Sequence, residues 1–253
     1  MARQQREVQA ALSDCVPGAR LRGYFMDGVV HVDAFMQLSV PALDYPRPDL
    51  PANIRYVGPV LPPPAAGAEL PEWWSELEQP GRAVVLVTQG TLDTMDLDRL
   101  IGPTLRALSG EELLVLAVTG GPPVARLGPL PANGRAAAFI PFDLLMPKIS
   151  LMVTDGGFGG IHHALGHGIP LVVAGDTEDK SEIAARVAWA GAGIDLRTGN
   201  PGEDQIRDAV RSILGAGSYR ERAESIGQDI RTSDAVGKIA ATVQARSVGR
   251  GNT

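Results

Sequence analysis

Cysteine is nearly absent. Cys15 is the only one in 253 residues, which excludes a disulfide within the chain and fits a reducing compartment such as the cytoplasm. Long apolar runs are missing too. No stretch reaches the roughly 18 residues that a membrane-spanning helix requires, and the polar segment Met1 to Gln9 lacks the apolar centre of a signal peptide. Positive charge is not in excess: the net charge is −6, with 21% charged residues. Such a surface has no long-range attraction for nucleic acid or anionic lipid, so a bound phosphate must be held by local dipoles. There is no internal repeat and no coiled-coil pattern. What is present is an ordinary globular composition, 44% apolar, long enough for one large domain or a medium one with an arm.

Two zones follow one another. In the first, Arg3–Ser13 reads as a short helix and Val29–Leu38 as a strand or irregular segment. Pro41, Pro46, Pro48, Pro51, Pro59, Pro62, Pro63 and Pro64 then crowd one stretch. Proline fixes φ and removes a donor, so residues 40–64 are expected to be an extended connector without a packed core. Leu70–Leu77, with Trp73 and Trp74, is expected to anchor the connector on the next domain.

From Arg82 short apolar runs alternate with helical patterns. The expected strands are Ala83–Thr88, Leu113–Thr119, Ala136–Ile140, Ser150–Thr154, Ile169–Ala174 and Gly193–Leu196. The expected helices are Asp96–Leu108, Ile161–His167, Ser181–Ala190, Asp204–Leu214, Tyr219–Ile230 and Ser233–Arg246. Continuous apolar strands between helices indicate an α/β fold, a doubly wound parallel sheet of Rossmann-like type, preceded by a proline-rich arm. Ligands of such sheets bind outside the carboxyl ends of the strands. The loops that matter are therefore 88–94, 119–124, 140–143, 155–160 and 174–180.

The turn Asp155-Gly156-Gly157-Phe158-Gly159-Gly160 follows a strand and opens a helix. Its glycines let a ligand approach the backbone, and the helix start offers unpaired N–H groups and a partial positive charge suited to a diphosphate. The alternative is a turn that only packs helix on strand. A dinucleotide fingerprint is a poor match: the third glycine is replaced by His162, the turn lies deep in the domain, and only Asp176 falls near the position of a ribose-binding acid. Gly90 and Thr91, after the first strand, either contact phosphate or merely cap a turn. The acidic loop Asp176-Thr177-Glu178-Asp179-Lys180 either accepts hydrogen bonds from sugar hydroxyls or is simply solvated. His163 and His167 have the spacing of a helical metal pair, but no third ligand accompanies them.

Taken in order, Thr88-Gln89-Gly90-Thr91, Phe139-Ile140-Pro141-Phe142, Thr154 to Gly160, Gly168-Ile169-Pro170-Leu171-Val172-Val173 and Glu178-Asp179-Lys180 resemble the C-terminal domain of glycosyltransferase family 1. The closest pattern is the bacterial branch that glycosylates macrolides and other natural products. The resemblance spans Pro41 to Ala245, and Asp49 to Pro59 is similar to the handover between the two domains of that family. It implies the C-terminal half of a GT-B fold. The implied domains are a remnant of the N-terminal acceptor domain (1–45), a connector (46–81), the nucleotide-sugar-binding domain (82–246) and a flexible tail (247–253).

The implied activity is inverting transfer of a sugar from a UDP- or dTDP-sugar to an acceptor hydroxyl on a small molecule, with no metal and no cofactor. Phe139 matches the ring that stacks on the base, and the Ile140 backbone the reader of its edge. Gly156, Gly157, Gly159 and Gly160 match the diphosphate turn, while Gly90 and Thr91 match contacts to phosphate and sugar. Asp179 and Lys180 match the acid–amide pair that grips sugar hydroxyls, with lysine replacing the usual glutamine. Two further positions depart from the family. Asp155 stands where histidine or asparagine is usual, placing a negative charge beside a diphosphate, so Asp155→Asn is expected to tighten donor binding. His163 stands where an acid usually contacts the ribose.

The family's general base and its orienting carboxylate lie in the N-terminal domain. His31 is the only histidine in residues 1–45 and does not match it, so no catalytic base is assigned. The resemblance therefore also implies a partner: an acceptor-domain chain, or a second copy packed on the apolar face that domain would cover. A non-catalytic nucleotide-sugar-binding module, or an epimerase-like protein on the same fold, is the competing reading.

Overall fold

The computed structural model describes residues 2–21, 23–62, 69–79 and 81–249; Pro63, Pro64 and the end of the tail, residues 250–253, lie outside the described residues. The chain forms two compact units interleaved in sequence: residues 1–38, 46–58 and 234–253 make one, and residues 39–45 with 59–233 make the other.

In the smaller unit, helix α1 (Ala2–Cys15) buries none of its residues. Two glutamines brace it instead. The Gln5 amide donates to the Gly23 carbonyl while its oxygen accepts from Phe25 N–H, and Gln9 makes the same pair of bonds to Ala19 and Leu21. Strands β1 (Phe35–Gln37) and β2 (Ile54–Tyr56) pair in parallel, so the proline-rich stretch supplies a strand where an extended connector was expected. A helix at the carboxyl end of the chain, Ala235–Gly249, belongs to this unit and donates from Arg246 to the Asp33 carbonyl.

The larger unit is a six-stranded parallel sheet in the order β5-β4-β3-β6-β7-β8, formed by β3 (Ala83–Thr88), β4 (Leu113–Val118), β5 (Gly134–Ala137), β6 (Leu151–Thr154), β7 (Leu171–Val173) and β8 (Gly193–Asp195). Strand residues alternate between two cores because successive side chains point to opposite faces. Val84 and Leu86 join one core and Val85 and Val87 the other; β4 divides in the same way. One core is closed by α4 (Phe158–Gly166), α5 (Lys180–Trp189) and α7 (Gly217–Arg231), the other by α2 (Ile101–Ala107) and α6 (Glu203–Gly215). The short helix α3 (Phe142–Leu145) follows β5.

The doubly wound sheet matches the sequence reading, and its element ends differ by a few residues. The largest difference is in Asp96–Leu108, which divides into a short 3-10 turn at Leu97–Arg99 and α2. Residues 40–64 were also expected to lack packed residues. Val40, Leu43 and Val57 are nonetheless buried, because Pro41 starts a 3-10 turn that folds Leu43 inward. Trp73 and Trp74 pack partly buried on the core, as expected of an anchor. The anchor is reinforced by a two-pronged Arg135–Glu76 pair at 2.8 and 2.7 Å.

His162, on the buried face of α4, ties that helix to residues 39–45. Its Nδ1–H donates to the Phe158 carbonyl at 2.8 Å, leaving Nε2 to accept from the Ser39 hydroxyl at 3.0 Å. Burial, and then the neighbouring charge of His163, push the His162 imidazole below its ordinary value against the opposing Phe158 bond. His163 and His167 are lowered too, chiefly by burial. The unfolded chain then binds protons that the folded chain refuses. This stabilisation is complete above about pH 6.5 and is lost as pH falls through the lowered folded values. Thermal unfolding between pH 7.5 and 5 should show the melting temperature falling with acidity, less steeply for His162→Gln, whose midpoint is lower at neutral pH. A wild-type midpoint that does not change over this range would contradict the assignment.

Candidate active site

The strand order reverses between β3 and β6, and there the doubly wound sheet opens a crevice at its carboxyl edge. Thr88 and Thr154 are register partners at the ends of these two strands. Each folds the chain back in the same way: the Thr88 hydroxyl accepts from Gly90 N–H at 3.2 Å, and the Thr154 hydroxyl from Gly156 N–H at 3.3 Å. Gly90 and Gly156 have φ of +69° and +96°, a region that side chains strongly disfavour. The loops after β3 and β6 thus leave the sheet side by side.

They bound a cleft of about 570 Å³. Eleven of the twelve residues named from sequence line it: Gly90, Thr91, Phe139, Ile140, Asp155, Gly157, Gly159, Gly160, His163, Asp179 and Lys180. Gly156 is buried beneath the turn, where a Cβ would meet Val173 at 3.0 Å; it is the pivot rather than the wall. Phe139 and Ile140 lie beyond the end of β5. The Phe139 ring stands out at the rim, 70% exposed, while Ile140 is buried. No side chain caps α4, and its first N–H groups have no intrahelical acceptor. Ile161 N–H is the first to bond back, to Gly157. The helix start therefore presents free donors and a positive dipole end to the cleft.

Asp155 lines the cleft but is only 6% exposed. One of its carboxylate oxygens lies 3.0 Å from the Lys180 ammonium; the other accepts weakly from Gly157 N–H at 3.4 Å. Lys180 also donates to the Thr177 hydroxyl at 3.1 Å and lies 3.6 Å from Asp93 and 3.8 Å from Glu178. Burial alone would lower its pKa; the hydrogen bond to Asp155 and the charges of Asp155, Asp93 and Glu178 outweigh this and raise it. Arg99 bonds both Asp93 and Asp176 at 2.8 Å. One chain of alternating charges thus braces the loops after β3, β6 and β7. His163 sits edge-on to the Phe142 ring at 5.6 Å and is held neutral chiefly by burial and secondarily by His167, with Asp143 opposing. Among the described residues no group of three His, Cys, Asp or Glu is placed to hold a metal ion.

Sequence reasoning named Glu178 only as part of the acidic loop and did not single out Asp93 or Asp143. Nothing local marks Asp93 or Asp143. Glu178 adopts a φ of +56°, which the sequence did not indicate. Gln89 emerges as a strut: its amide donates to the carbonyls of Asp93 and Asp96 and its oxygen accepts from Ile101 N–H.

Gly175 tests how tightly the turn is built. A Cβ there would lie 1.9 Å from the Asp155 carbonyl oxygen and 2.9 Å from Lys180 Cβ, so backbone must move. Gly175→Ala should cost about 1–3 kcal/mol, the range for overpacking a close-packed site, read by denaturant unfolding. It should also displace the Asp155–Gly160 turn. Unchanged stability would show that the turn is looser than described.

Residues 107–245 match the family model for the C-terminal domain of erythromycin biosynthesis protein CIII-like proteins. The chain is 44% identical over 215 residues to 4′-demethylrebeccamycin synthase of Lentzea aerocolonigenes, covering 85% of this chain and 50% of that one. Among solved structures, the calicheamicin glycosyltransferase CalG4 superposes with a TM-score of 0.79 at 24% identity, over 98% of this chain and 60% of that one. The glycosyltransferase VinC, in complex with dTDP, superposes with a TM-score of 0.61 at 26% identity, over 81% of this chain and 50% of that one. This chain spans about half the length of the curated relatives it matches. It belongs to the erythromycin biosynthesis protein CIII-like C-terminal domain family, with the fold of the C-terminal half of a GT-B glycosyltransferase.

Proposed function

We propose that this chain is the donor-binding part of an inverting glycosyltransferase that moves a sugar from a UDP- or dTDP-sugar to a hydroxyl of a small-molecule acceptor. The observation that carries the reading is the convergence of Gly90, Phe139, the glycine turn and Lys180 on one cleft at the switch point, beside an uncapped helix start. Relatives named as UDP-glycosyltransferases or UDP-glucosyltransferases, and a related structure holding dTDP, support it.

In the proposed reaction the acceptor oxygen bonds to the anomeric carbon as the bond to the β-phosphate oxygen breaks. The electron pair, and the charge, pass to the diphosphate. The N–H groups opening α4 and the Lys180 ammonium lie where that charge develops, and fixed donors aimed at developing charge are a large catalytic term. The acceptor proton goes to a base outside the described cleft, supplied by an N-terminal half or a partner chain; a second copy is the alternative partner. Phe139 holds the base and His163, neutral, meets the ribose. Binding needs no metal and no cofactor. A cytoplasmic setting belongs to the same proposal: Cys15 is a free, exposed thiol, and among the described residues no helix is long and apolar enough to cross a membrane.

Calorimetric titration without magnesium tests the reading. UDP or dTDP should bind and NAD should not. Phe139→Ala should weaken the nucleotide by about 1–3 kcal/mol, the value of one aromatic–base stack, without changing stability. Failure of both nucleotides to bind the wild-type chain would contradict the proposal.

A further inference from the structure

Lys180 is the only lysine or arginine among the described residues lining the cleft, which it shares with Asp143, Asp155, Glu178 and Asp179. A site with this charge would repel a diphosphate unless its one ammonium faces the ligand. Lys180 is also 5% exposed, and a buried lysine needs a counter-ion. Asp155 and Lys180, two of the positions whose residue type departs from the resemblance, meet at 3.0 Å. Asp93 and Glu178 stand farther off, at 3.6 and 3.8 Å, and Asp93 is already shared with Arg99.

We infer that Asp155 and Lys180 are a compensated couple, in which Lys180 is the cationic contact to the diphosphate and Asp155 is its positioning counter-ion. This rests on the proposed donor site and adds to it: the effect of replacing either member depends on whether the other is present. Asp155 holds the ammonium beside the glycine turn and at the same time reduces its pull on the ligand. Gly175 constrains the geometry, since a Cβ added to it would lie 1.9 Å from the Asp155 carbonyl oxygen and 2.9 Å from Lys180 Cβ.

The two members therefore have opposite effects when removed singly. Asp155→Asn frees the ammonium, which Asp93 and Glu178 still partly balance, so the diphosphate binds tighter even where the protein melts lower. A pair with a structural role alone would lower both. Lys180→Gln strands a buried carboxylate facing an anion, and affinity and stability fall together. Joining the two changes restores a neutral pair.

The experiment is a double-mutant cycle on the full chain, with UDP and dTDP affinities by calorimetry and melting temperatures for all four proteins. Asp155→Asn should tighten binding about threefold to tenfold and Lys180→Gln should weaken it more than about tenfold, while adding Asp155→Asn to Lys180→Gln should recover at least about tenfold, well beyond the gain in the wild-type background. Equal gains in both backgrounds, or weaker binding by Asp155→Asn, would overturn the couple. If Lys180→Gln does not fold, a folded double variant upholds the couple and an unfolded one overturns it. If the wild-type chain binds neither nucleotide, the proposed function fails on its own. The melting temperatures then judge the pair: rescue of Lys180→Gln by Asp155→Asn upholds compensation, and additive losses overturn it.

Discussion

Thr88 and Thr154 face each other across the β3–β6 pair, and the site depends on that register. A slip of one residue would turn alternate side chains to the other core, taking Val85 and Val87 out of the layer they fill. The apolar burial of β3 therefore fixes where the two loops leave the sheet. Because both threonine hydroxyls accept from the amide two residues on, two positive-φ glycines follow the paired strand ends, and α4 begins beyond Gly156 without a side-chain cap. Burial of apolar strands thus positions the polar groups of the cleft.

Electrostatics then has to correct a difficulty. The cleft is lined by carboxylates, and its proposed ligand is an anion. The chain of alternating charges from Asp176 through Arg99, Asp93 and Lys180 to Asp155 answers this locally, tying acids to cations so that few face the cleft unbalanced. It also joins three loops that the sheet itself does not hold together. Loops held this way keep the helix start open and its donors pointed, which is the preorganisation that charge stabilisation requires.

The core was legible in the sequence because its strands are continuous apolar runs, and a strand buried on both faces has no other way to be written. The glycine turn was legible for a similar reason: four glycines clustered where a strand gives way to a helix have few uses. Asp155 was read as a charge at the cleft, which it lines, but its contact with Lys180 was not read. That contact depends on β6 and β7 being neighbours, and no local pattern encodes it. The approach of Asp93 to Lys180 was hidden for a similar reason, since it depends on how distant loops meet. The buried Val40 and Leu43 were hidden by the prolines around them, whose donors are missing but whose fixed φ shapes a turn as readily as an extended segment. The inclusion of the C-terminal helix in one unit with α1, β1 and β2 is a closure over nearly the whole chain, and periodicity carries no trace of it.

The central claim is that a nucleoside diphosphate seats on the start of α4. Its most direct test is a titration of the isotopically labelled chain with dTDP or UDP, followed by amide resonances. The account predicts that the largest shifts fall on Phe158, Gly159 and Gly160, with the Lys180 ammonium shifting in step and at the same ligand concentrations. Shifts scattered over the surface, or centred on another loop, would contradict it.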